Sequence, residues 1–102
     1  MRATAPATHL KLAVLAVAAC ALAMPAAALT CSEETVQARG EPSRFEAVAK
    51  LKARGNWRAH VRAHPKFGPD YANWSIAASA DYSCADVKSG TACTAIARPC
   101  RH

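Results

Sequence analysis

The sequence predicts an α+β domain of order β-α-β-β, in which one long basic helix lies across a short antiparallel sheet and disulfides link the chain. Three observations predict it. The stretch from Ser43 to His64 carries apolar residues at helical spacing, from Ser75 onward the apolar period becomes two, and Cys31, Cys84, Cys93 and Cys100 punctuate the rest.

With 102 residues the chain holds one domain, and the first 28 read as an export signal rather than part of it. Arg2 and Lys11 precede the apolar run LAVLAVAACALAM, and Pro25-Ala26-Ala27-Ala28 supplies the small residues of a cleavage site. Cleavage after Ala28 leaves 29–102 as a single small disulfide-containing domain. Val17-Ala18-Ala19-Cys20 also fits a lipobox, with Cys20 as the lipidated residue, although the chain stays apolar to Leu29 where a lipoprotein has a polar tether. A retained membrane anchor is disfavoured, because the run is barely long enough to span and Pro25 breaks it. Periplasmic or extracellular localisation follows.

Losing or lipidating Cys20 leaves four cysteines, an even set that argues for two disulfides in a short exported chain. Each restricts the unfolded chain by an amount worth roughly 3 kcal/mol, useful in a domain with a small core. No C-x-x-C is present, which argues against a thioredoxin-type centre.

The elements follow in order. Leu29 to Glu34 is a polar lead-in whose Cys31 ties down the terminus, and Thr35 to Arg39 alternates as a short strand ending at Gly40. Ser43 and Glu46 have the spacing of a reciprocal capping box at the helix start. Phe45, Ala49, Ala53, Trp57 and Val61 form one i+4 ridge expected to face the protein, flanked by Val48, Ala59 and Ala63. Lys50, Arg54, Arg58 and Arg62 form a basic ridge expected to face water. Gly55-Asn56 is a possible kink, and Pro65 stops the helix near His64. After the turn from Lys66 to Asp70, Tyr71 and Trp74 are placed to pack over the helix end. A strand then runs from Ser75 to Cys84 with Ile76, Ala78, Ala80, Tyr82 and Cys84 on one face, Ala85 to Gly90 holds turn formers, and Thr91 to Ala97 returns as the second strand of a hairpin. Four cysteines permit three pairings. If Cys84 lies opposite Cys93, their side chains meet on the face of Tyr82 and Ala95, and Cys31 is left for Cys100.

The order of an export signal, a strand ending in glycine, an alanine-rich helix with Trp57 and Val61, Phe67-Gly68, Tyr71-Ala72-Asn73-Trp74-Ser75-Ile76-Ala77, Cys84, Cys93 and Ala97-Arg98-Pro99-Cys100 resembles a group of small exported bacterial proteins of unknown function. In that group a tryptophan-bearing helix precedes a cysteine hairpin ending Ala-x-Pro-Cys. The resemblance implies export and a compact disulfide domain, and no activity, cofactor or catalytic residue.

Charge is concentrated in the helix. The chain after residue 28 has 11 Lys and Arg against seven acids, and seven of those basic residues with a single acid, Glu46, lie between Arg44 and Lys66. A solvated face is the default meaning of such a row, and the functional one is contact with an anionic envelope component through Lys50, Arg54, Arg58 and Arg62. Nucleic acid is not expected as a partner, because no DNA- or RNA-reading motif accompanies the row. His60 and His64 have the i, i+4 spacing of metal ligands, but only His102 remains as a third imidazole, so packing is their expected role. No Gly-x-Ser-x-Gly, Ser-x-x-Lys or H-E-x-x-H motif is present, and a non-enzymatic protein is expected. The alternative is a small inhibitor or accessory subunit of an exported enzyme, acting through the cysteine hairpin and its loop from Ala85 to Gly90.

Overall fold

The computed structural model describes residues 28–102. The export segment lies outside the described residues, as do the lipidation and retained-anchor readings of Cys20 and its surroundings. The elements are β1 (Thr30–Cys31), β2 (Val36–Arg39), α1 (Glu46–Ala63), two single 3-10 turns at Pro69–Tyr71 and Trp74–Ile76, β3 (Ala78–Val87), β4 (Gly90–Arg98) and β5 (Cys100–Arg101). The expected α+β class holds. β2, β4 and β3 form an antiparallel sheet in that order, with α1 across one face, and β1 pairs with β5 in a second, two-stranded sheet.

Alternation decides which face of the sheet the helix covers. Cys93, Ala95 and Ala97 of β4 point to one side and are fully buried there with Ala38 of β2, and the helix fills that side with Ala49, Ala53, Trp57 and Val61. Small residues on both surfaces let the two backbones come close. The approach is tightest at Gly40, where a Cβ would stand 2.4 Å from the backbone nitrogen of Ala53. Trp57 is the largest fully buried side chain. Its ring meets Trp74 edge-on at 5.2 Å, Trp74 stands 5.2 Å from Tyr82, and Trp57 Nε1 donates to the carbonyl of Val36 at 3.1 Å. Trp74 thus packs on the helix as expected, and Tyr71 lies tilted against Phe67 with ring centroids 5.3 Å apart.

The start of the helix differs from the expected capping box. α1 begins at Glu46 after an extended Phe45, with no side-chain cap, and the Ser43 hydroxyl accepts only the amide of Phe45 at 3.4 Å. Tertiary pairing overrides the local motif. Ser43 exchanges two backbone hydrogen bonds with Thr91, at 2.9 and 2.7 Å, which fixes it as a strand-like bridge outside the sheet and moves the first helical turn downstream. Phe45, expected at the head of the buried ridge, is consequently 67% exposed, and its flanking neighbours Val48, Ala59 and Ala63 are exposed as well. Gly55 does not interrupt the helix, and the stop is as expected, with His64 extended ahead of Pro65.

The first hairpin strand begins later than the period-two pattern predicts. Asn73 Oδ1 accepts the Ser75 amide at 3.1 Å and curls Trp74–Ile76 into a 3-10 turn, so Ile76 is not in the strand. Ser79 then takes a left-handed conformation (φ 54°), the register shifts between Ala78 and Asp81, and Ala80 is exposed instead of sharing the face of Tyr82 and Cys84. Past this irregularity the register is the expected one, with Tyr82 opposite Ala95 and Cys84 opposite Cys93. The loop expected over 85–90 is mostly ladder. Ala85, Asp86 and Val87 pair with Ala92, Thr91 and Gly90, leaving Lys88 and Ser89 as a two-residue tip.

Both disulfides form between directly opposed residues, Cys84 with Cys93 and Cys31 with Cys100, each with Cα atoms 4.0 Å apart. The second joins β1 to β5, so Cys31 does tie down the beginning of the domain. Disulfides of this kind form and persist in oxidising surroundings, outside the reducing cytoplasm.

Candidate functional site

Four i+4 rows run along α1, and their environments follow from their offset to the buried one. Each residue advances about 100° around the axis. The basic row Lys50, Arg54, Arg58 and Arg62 trails the buried row by one residue, so it lies on a flank of the helix rather than opposite the sheet. Lys50, Arg54 and Arg58 are accordingly half-buried and only Arg62 is exposed, which corrects the expectation of a row facing water throughout. Their stems are held against the protein, and in Arg54 the burial reaches the guanidinium itself.

The charges on this flank are unequally engaged. Lys50 pairs with Glu46 at 3.2 Å and stands 5.7 Å from the centroid of the Tyr82 ring. Arg54 has its Nε buried without a hydrogen-bond partner. The other ion pair among the described residues joins Lys66, in the turn after α1, to Glu34, in the bend between β1 and β2. Arg54, Arg58 and Arg62 therefore have no carboxylate partner among the described residues. The Lys66 ammonium, by its hydrogen bond and its charge, holds the Glu34 carboxyl below its ordinary range.

The outward row was not singled out in the sequence. Ala47, Leu51, Gly55, Ala59 and Ala63 lie two residues, about 200°, beyond the buried row, and all five are exposed. None is charged. Leu51 is 54% exposed, and Val48 on the adjoining flank is 38% exposed. The signal was present in the wheel, as an uncharged row in the most basic segment of the chain, but the stronger apolar and basic ridges drew the reading.

The histidines do not converge. His60 is exposed, whereas His64 packs on Phe67 at 4.7 Å and its Nδ1 accepts the Lys66 amide at 3.0 Å. Among the described residues no three His, Cys, Asp or Glu side chains group as metal ligands would. His102 instead lines a shallow cleft of about 310 Å³ with Asp70 and Arg101 at the C-terminal edge. No helix among the described residues is long and apolar enough to cross a membrane. The hairpin tip is Lys88 and Ser89, and of the strand residues beside it Ala85 and Asp86 are exposed as well.

No protein-family model, no curated protein and no solved structure matches this chain. The fold defines its class on its own terms, an α+β domain of one helix and two small antiparallel sheets linked by two disulfides.

Proposed function

We propose that the protein is exported, acts without catalysis, and contacts an anionic component of the cell envelope through Lys50, Arg54, Arg58 and Arg62. One observation carries the reading. The basic residues are concentrated on α1, and three of the row have no carboxylate within ion-pairing distance among the described residues, so their charge is available to an outside partner. The half-buried stems support it, because side chains held against the protein lose less freedom on binding than free ones. The signal-like first 28 residues and the two disulfides support export.

Each basic side chain near an anionic surface contributes about 1 kcal/mol, attenuated by salt over a Debye length of roughly 10 Å at 0.1 M. Binding to anionic vesicles and to acidic polysaccharide, measured across a salt titration, should therefore weaken steeply with salt. Replacing all four residues by Gln keeps much of each stem and removes the charge. If that variant binds as wild type does to both surfaces, the proposal is wrong.

A further inference from the structure

We propose that the anionic partner is a lipid bilayer surface, against which α1 lies flat with Phe45, Val48 and Leu51 in the headgroup layer. The inference rests on the functional reading above and adds the apolar contact to it.

A helix that covers a sheet and meets only water ordinarily places charged or polar residues opposite the buried row. Here the reverse is found. The row opposite the sheet has no charge, Leu51 lies on it, and Val48 and Phe45, the latter 67% exposed, extend the apolar surface toward the N-terminal end. Val48 and Leu51 are three residues apart within the helix, the spacing at which side chains are neighbours, and Phe45 is the extended, exposed residue just before the first turn. The basic row lies directly alongside, and Lys52 is exposed on the other flank. An apolar strip bordered by cations is the pattern of a helix lying in a bilayer interface, with apolar side chains among the upper acyl segments and cations at the lipid phosphates.

Charge complementarity selects this occupant over the others. A second copy of the chain meeting the same outer row would bring two Arg54–Arg58–Arg62 rows together, like charge against like. An acidic polysaccharide would satisfy the cations and leave Phe45 and Leu51 in water. An anionic bilayer satisfies both at once.

The test uses the purified, disulfide-bonded protein and vesicles of phosphatidylcholine alone or mixed with phosphatidylglycerol. The triple variant Phe45→Ser, Val48→Asn, Leu51→Asn alters only exposed positions, and its melting temperature is compared with wild type to confirm that the fold persists. Removing partial burial of three apolar side chains should weaken partitioning onto the mixed vesicles about tenfold or more. Its binding to acidic polysaccharide should equal that of wild type. Separately, Leu51→Trp should gain fluorescence that brominated lipids quench only when phosphatidylglycerol is present.

If the triple variant partitions as wild type does, or the Leu51→Trp signal is not quenched, the bilayer contact is refuted while the charge reading stands. If the four-site Gln variant described above binds like wild type, both fall together. A wild type that sediments as a dimer, converted to monomer by the triple variant, would assign the outer row to a second copy and overturn the inference.

Discussion

Two alanine substitutions of glycine should move stability in opposite directions, for reasons fixed by what each new methyl group meets. At Gly40 the added Cβ would stand 2.4 Å from the nitrogen and 2.8 Å from the Cα of Ala53, both backbone atoms of a helix pinned by its own hydrogen bonds. Restoring a contact of 3.4 Å requires about 1 Å of separation between β2 and α1. That movement opens the seam of Ala38, Ala49 and Ala53, and it stretches the bonds that hold the strand end in place, Gly40 N–H to the Cys93 carbonyl at 2.9 Å and Asn56 Nδ2 to the Arg39 carbonyl at 2.8 Å. Overpacking of this kind costs about 1–3 kcal/mol. Gly55 is the converse. It is in the middle of α1, exposed, and its Cβ would meet nothing within 4 Å, so alanine there gains about 0.5–1 kcal/mol by restricting the unfolded backbone. At roughly 4–8 °C per kcal/mol for a domain of this size, Gly40→Ala should lower the midpoint of thermal unfolding by about 4 °C or more and Gly55→Ala should raise it by about 2–8 °C. Circular dichroism melts with both disulfides intact measure the difference. The reasoning is refuted if Gly40→Ala melts at or above wild type, or if Gly55→Ala melts below it.

Three further outcomes are expected. Trp57→Phe removes the donor to the Val36 carbonyl and part of the ring that meets Trp74, and should destabilise by about 2 kcal/mol in urea unfolding. The disulfides close loops of very different length, with sequence separations of 69 for Cys31–Cys100 and 9 for Cys84–Cys93. Chain entropy makes them worth about 4.4 and about 2.6 kcal/mol, so replacing the first pair by Ala should lower the urea midpoint further than replacing the second. Glu34 is held below its ordinary range by Lys66, which means that the folded state binds the proton less readily than the unfolded state does. Its contribution to stability is present above the ordinary carboxylate value and is lost as pH falls through the depressed one. Lys66→Ala should raise the Glu34 titration midpoint seen by NMR and remove that part of the acid dependence.

Much of this architecture was legible because the residues that carry it obey a strong period. Tyr82, Cys84, Cys93 and Ala95 alternate cleanly, which assigns them to one face of a hairpin; the pairing of Cys84 with Cys93 was one of three open to the four cysteines, and the structure selects it. Pro65 acts on its immediate neighbour and so ends the helix where a local rule says it should. What was illegible depended on residues distant in sequence. Ser43 carries a good capping signal, but its backbone is claimed by Thr91, 48 positions later, and the cap is lost. The left-handed Ser79 leaves no mark in composition, although it moves Ala80 off the buried face. β1 and β5 have two residues each, too few for any period to show. For the candidate site, the basic row and the uncharged row beside it both stand in the helical wheel, while the half-burial of Lys50, Arg54 and Arg58 depends on how the helix packs on the sheet.

The Cys31–Cys100 bond has a mechanical meaning. Among the described residues, only 28–30 and 101–102 lie outside the loop it closes. A force applied between the two ends of this segment would pass through the sulfur bridge and leave α1 and the sheet unloaded. Stretched in an oxidising medium, the domain should behave as an inextensible link of fixed length. Once that bridge is reduced, tension reaches the sheet, and all but the stretch bridged by Cys84–Cys93 becomes available to unravel.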